Sequence, residues 1–417
     1  MDFLAHPVGR RILFTALYFS EGAPVGFIWY ALPARMRSRG VDVEDVTSFT
    51  ALLVLPWTLK FLWAPVVDVC QSRFWTLKHW ILAAQAVMVL TLLPLAWLDL
   101  GSQRDVILRW LLLHAFAAAT QDAAIDALCI RVTDSNERGR LNGWMQAGTL
   151  LGRALLGGGA LIVFDRLGQA GVVATLACTT AVSAVFVWSA RLPRDLQPTE
   201  HRQARRFTIA LADAMRLPWT WLGLAFALIG GAGFEALGAV TGPLLIDSGF
   251  SEDAVGILQA VPLPVGMVAG SLAGGWLADR YGHVRIVAIS LVLVALNVTA
   301  VAAGWEFAGR IGHFPLVALL CTNALGVGLL TASSFALLMD LTWPSTAATQ
   351  FSAFMGAINA CEAWAAFAVG KLIAAAGYGG SLAAMAAASL AALPILALIH
   401  RTTATRRSLI PSSSESD

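Results

Sequence analysis

Three features of the sequence predict an all-α membrane protein of twelve transmembrane helices arranged as two pseudo-symmetric six-helix bundles. Twelve apolar stretches, each near the ~20 helical residues needed to cross ~30 Å of hydrocarbon, run almost end to end through the 417 residues. The chain is 58% hydrophobic and 13% charged, with a mean hydropathy of +0.70, far from the roughly one-quarter charged residues of a soluble domain. One long arginine-rich interruption near the middle divides the stretches into two sets of six.

In order, the pattern places helices at about 12–34, 47–67, 80–98, 107–130, 142–164, 170–190, 218–246, 253–277, 286–304, 314–339, 350–373 and 379–400. The first carries no A-x-A-like cleavage site ahead of it and is expected to stay in the mature protein. Inner segments hold eighteen of the twenty-eight Lys and Arg and outer loops seven, which puts both termini on the cytoplasmic side. Arg191 to Arg216, with Pro193 and Pro198, reads as a cytoplasmic linker (191–217) between an N-terminal bundle (1–190) and a C-terminal bundle (218–400). A Ser-rich, disordered tail is expected at 401–417. An offset of about 211 residues lays Asp68 on Asp279 and nearly lays Pro33 on Pro243, the trace of an internal repeat.

Several function classes are excluded. A net charge of +2 is too small for nucleic-acid binding. Cys70, Cys129, Cys178, Cys321 and Cys361 show no zinc-type spacing, so no metal is expected. No phosphate-binding loop follows a strand and no Ser/His/Asp set stands out, which argues against an enzyme and against any cofactor.

The segment Gly275-Trp276-Leu277-Ala278-Asp279-Arg280-Tyr281-Gly282-His283-Val284-Arg285 resembles the loop signature between helices eight and nine of the major facilitator superfamily. Gly275 permits close helix approach, Asp279 suits the positive end of a neighbouring helix, and Arg280 and Arg285 stay at the interface. Gly282 completes the motif, and the first-half counterpart retains only Asp68. Three further stretches resemble AmpG-type permeases: Tyr18-Phe19-Ser20-Glu21-Gly22-Ala23-Pro24-Val25-Gly26 with Ala31-Leu32-Pro33, Leu55 to Pro65, and Thr120 to Ala127. That likeness centres on residues 12–153. It implies a monomeric, alternating-access importer in the bacterial inner membrane. Its small-molecule substrate would be a muropeptide or a siderophore, with an acyl-CoA or other metabolite as the alternative. A non-transporting membrane receptor on the same fold is the reading from another class.

Charges inside the apolar stretches are the candidate functional residues, because a charge at that depth costs several kcal/mol unless paired or facing water. Counting ~1.5 Å per residue from the inner helix ends puts Glu21, Lys60, Asp122 and Arg153 at one level, ~12–17 Å deep. Asp122 and Asp126 share a helix face and repel unless Lys60 or Arg153 intervenes. This group reads either as a structural ion-pair knot or as a cationic site for an anionic solute. In the latter, Arg153 is the better ligand through its planar fork, with Lys60 beside it. Glu235 and Glu362 have no basic partner at matching depth, so both join Glu21, Asp122 and Asp126 as candidates for coupling to protons. Trp29, Trp57 and Trp364 are candidates to stack on a bulky solute. Gly22/Gly26, Gly148/Gly152 and Gly270/Gly274 read as packing seams.

Overall fold

The structure is a computed structural model that describes residues 3–28, 32, 43–72, 74–99, 103–191, 203–308 and 312–409. Every regular element among them is helical. The first half contains α1 (Pro7–Gly26), α2 (Val43–Leu59), the short α3 (Ala64–Val69), α4 (Leu77–Leu92), α5 (Arg104–Val132), α6 (Ser135–Arg153) and α7 (Gly159–Ser189). A connecting helix α8 (Gln203–Arg216) leads to the second half. There follow α9 (Pro218–Ile229), α10 (Ala232–Asp247), α11 (Glu252–Ala260), α12 (Pro262–Tyr281), α13 (His283–Ala308), α14 (His313–Leu341), α15 (Ala347–Leu390) and α16 (Ala392–Leu409). The expected linker thus includes a 14-residue helix, and the last helix runs to Leu409, past the boundary placed at 401. Pro33 and Trp29 lie outside the described residues.

Among the described residues, eight helical segments are long and apolar enough to cross a membrane, from Leu77–Ala96 to Ala375–Thr402. Neither α5 nor α6 is among them. Both are full-length helices, but Asp122, Asp126 and Arg131 on α5, and four charges from Glu137 to Arg153 on α6, depress their hydropathy. The fifth expected helix also starts earlier than its apolar run, at Ser135, and continues through a π turn at Ala154–Gly158.

The halves repeat in backbone as well as in pattern. Gly168 inside α7 and Gly377 inside α15 break their helices with nearly the same torsions, φ 65° ψ −178° and φ 64° ψ −176°. Positive φ at both sites is a conformation that glycine adopts without a Cβ clash. They stand 209 residues apart, close to the offset that relates Asp68 to Asp279.

Glycines set how closely helices approach. Gly22 and Gly26 of α1 lie against the backbone of Thr149 and Arg153, and Gly148 and Gly152 of α6 lie against that of Thr15 and Phe19. Gly270 and Gly274 of α12 sit on the backbone of Leu325 and Leu329 in α14. All six therefore serve packing, since any Cβ there would meet a neighbouring main chain. A glycine contact also joins the halves: Gly139 of α6 abuts Gly275 of α12.

Candidate functional site

The halves are tied together at the end of the bundle that bears the Gly275–Arg285 segment. Asp279 Oδ1 accepts the Gly139 N–H at 2.7 Å, and its Oδ2 accepts the Arg140 N–H at 2.8 Å and Arg140 Nε at 2.9 Å. These amides belong to the second turn of α6, so the carboxylate meets the positive end of that helix. Asp68 does the reverse, accepting the Ala348 N–H at 3.2 Å and the Thr349 N–H and hydroxyl at 2.8 Å each, at the start of α15. Burial pushes the Asp68 carboxyl up from its ordinary value, and the Thr349 hydrogen bonds and the Arg131 guanidinium 3.5 Å away oppose this.

The Asp279 contact extends into a network the sequence did not reveal. His283 lies 3.3 Å from Asp279 and 2.6 Å from Asp340, and Asp340 also accepts from Arg138 and Ser135, each at 2.8 Å. Gly282, between α12 and α13, has φ +95°, so the turn that delivers His283 favours a glycine. Arg280 points away from the network, over the rings of Trp276 and Tyr281.

Deeper in the first half, the charges of α1, α2 and α5 converge. Helix α2 ends at Leu59, a single 3-10 turn carries Lys60, and Pro65 stands in the first turn of α3. The break turns Lys60 inward, where its ammonium is clamped by Asp122 and lies 3.7 Å from Asp126. The Tyr18 hydroxyl donates to Asp126 at 2.5 Å, and Trp57 Nε1 donates to Glu21 Oε1 at 3.4 Å. Glu21 Oε2 is buried and has no hydrogen-bond partner among the described residues. Lys60 is only 3% exposed, which favours the ion-pair knot over direct contact with a solute.

Arg153 occupies a different place. With Gln146 and Thr149 it forms one wall of a cavity of about 390 Å³ between the halves, and Glu235 on α10 and Glu362 on α15 lie on the facing walls. That volume suits a small-molecule ligand. Along α6, Arg153 is fourteen residues beyond Gly139, so the cavity lies roughly 20 Å from the tied end. The π turn begins at the next residue, Ala154, and such turns are frequent at functional sites. Glu235 and Glu362, expected to lack a base at their depth, thus share a chamber with a guanidinium of the other half. Trp57 and Trp364 do not line it: Trp57 is turned to Glu21, and Trp364 Nε1 donates to the Leu228 carbonyl at 2.8 Å.

The sequence profile described as the Major Facilitator Superfamily matches residues 14–261, more than half of the chain. The chain belongs to the major facilitator superfamily. It is similar to the anhydromuropeptide permease of Escherichia coli strain K12, 27% identical over 359 residues that cover 84% of this chain and 71% of that one. The putative transporter AmpG 4 of Rickettsia conorii is 22% identical, covering 86% and 89%. Among solved structures, the superfamily transporter FucP in the outward conformation aligns with a TM-score of 0.72 at 14% identity, covering 93% of this chain and 98% of its own. Likeness to AmpG-type permeases therefore extends well beyond residues 12–153, and the protein is a major facilitator transporter rather than an enzyme.

Tyr18 and Asp340 are among the participants in these sites that escaped sequence reasoning. Tyr18 stood only inside a family-like motif, although it lies three residues, one helical turn, before Glu21 on α1. Asp340 closes an apolar helix and meets His283 across 57 residues of chain, a pairing that no local pattern announces.

Proposed function

We propose that this protein is a proton-coupled secondary importer that works by alternating access across twelve membrane crossings, with both termini in the cytoplasm of a bacterium. The two bundles, 1–190 and 218–400, rock about the cavity between them. Its cargo is a bulky polar or amphipathic solute with an anionic group, held by the Arg153 guanidinium. The observation that carries this reading is that cavity: a chamber walled by both halves, with contacts between the halves knitted at one end. The names of the curated relatives favour the muropeptide class over the siderophore class.

Proton coupling rests on the first-half cluster. One ammonium pairs with Asp122 and Asp126 there, a third carboxylate, Glu21, accepts from Trp57, and placing all three in low dielectric is costly unless protons join them. Glu21, with one oxygen unpartnered, is the best-placed carrier, and Asp122 and Asp126 set the charge around it. Glu235 and Glu362 are the second-half candidates for the same role. Purified protein in liposomes, offered labelled anhydromuropeptide with the lumen alkaline, should accumulate it and lose it when a protonophore is added. Accumulation that ignores the pH gradient would reject proton coupling, and no uptake of any member of the class would reject the cargo.

A further inference from the structure

The walls of the cavity carry opposite chemistry. On the α6 side stand the Arg153 guanidinium and the Gln146 and Thr149 side chains. On the second-half side stand two carboxylates, Glu235, half-buried, and Glu362, exposed. A third acceptor joins them: Asn323 of α14 lines the same cavity, is 9% exposed, and its buried Oδ1 has no hydrogen-bond partner among the described residues. A buried acceptor left empty costs free energy unless a ligand or water fills it. Carboxylates and a carbonyl oxygen accept and do not donate, so the group that satisfies all three is rich in N–H and positively charged.

We propose that this wall is a subsite for a protonated amine, and that the cargo is a zwitterion whose anionic group sits at Arg153 and whose ammonium sits among Glu235, Glu362 and Asn323. This rests on the transport reading above and adds the cationic half of the ligand. It also divides the acidic residues by task. The first-half cluster, sealed by Lys60 and Tyr18, handles protons, while the second-half pair, open to the cavity, handles cargo. A carrier built this way discriminates against a solute whose amine is blocked, because the buried Asn323 oxygen would then stay unpaired and the two carboxylates would lose a cation.

The test uses the full chain in liposomes at one pH on both sides, where exchange of internal for external solute reads binding without a proton gradient. The probes are an anhydromuramyl peptide ending in a diamino acid and the same peptide acetylated on its free amine. Acetylation should raise the half-saturating concentration at least about tenfold, the worth of one charged hydrogen bond. Glu362→Gln and Glu235→Gln should weaken the parent peptide to the level of its acetylated form and leave the acetylated form unchanged. Unaltered thermal midpoints without ligand establish that both variants fold. Equal exchange of the two peptides by the unaltered protein would overturn the proposal while leaving the transport reading intact. Exchange of neither would overturn both. Variants that exchange the parent normally but lose gradient-driven uptake would return the two glutamates to the proton task.

Discussion

Asp68 and Asp279 trade partners across the pseudo-symmetry axis. Asp68 of the first half accepts the amides of Ala348 and Thr349, and Asp279 of the second half accepts those of Gly139 and Arg140. The acceptors are 211 residues apart and both donor pairs 209, so one contact has been built twice with the halves exchanged.

Breaking either contact should loosen that end of the bundle. Asp68→Ala or Asp279→Ala should lengthen the separation between spin labels placed on α6 and α12 near Gly139 and Gly275, with the double variant showing the larger change. The Asp68 contact should also depend on pH. Burial raises its carboxyl above the ordinary value, so closing takes up protons relative to an open, hydrated Asp68. The tied form should therefore gain population as pH falls toward that raised value, and Asp68→Asn should remove this component.

Lys60 holds two carboxylates in a buried setting. Replacing it with Met leaves them uncompensated and should cost on the order of 3–5 kcal/mol, read as a lowered unfolding midpoint in detergent. Adding Asp122→Asn to Lys60→Met should recover part of that loss.

Glu21→Gln separates drive from binding. It should abolish accumulation driven by an inward proton gradient while exchange at equal pH persists with little change. Loss of both together would make Glu21 a structural residue.

Arg153→Lys keeps the charge but replaces a planar fork with a single ammonium. The half-saturating concentration for an anionic cargo should rise about tenfold, with the maximal exchange rate nearly unchanged.

Gly270→Val would place a side chain inside the main chain of Leu325, in the seam between α12 and α14. Several degrees should be lost from the thermal midpoint, and transport with it. The same substitution at Gly370, outside the cavity lining, where an added Cβ meets nothing within 4 Å, should be far milder.

Hydropathy reaches the helices and their order because crossing a bilayer demands length and apolarity, and both are written along the chain. Counting residues from helix ends likewise set Lys60 and Asp122 at one depth, and the two do meet. What such counting lacks is azimuth. Depth along a helix does not say which way Trp57, Trp364 or Arg153 turns about its axis. The aromatics turn to Glu21 and to the Leu228 carbonyl, and Arg153 lines the cavity between the halves. Glu235 and Glu362 were legible as buried acids, but their shared wall with Asn323 depends on three helices packing together.

The polarity of α5 and α6 bears on how the protein is made. Each lone charge at mid-bilayer costs a nascent helix about 2.5–3.5 kcal/mol on entering lipid from the translocon, and Asp122 and Asp126 lie on one such helix. Helix α5 therefore has reason to wait for Lys60 and leave the insertion channel beside α2, with its aspartates already neutralised. Biogenesis of the first half becomes a joint event, while the more apolar second half is free to integrate helix by helix.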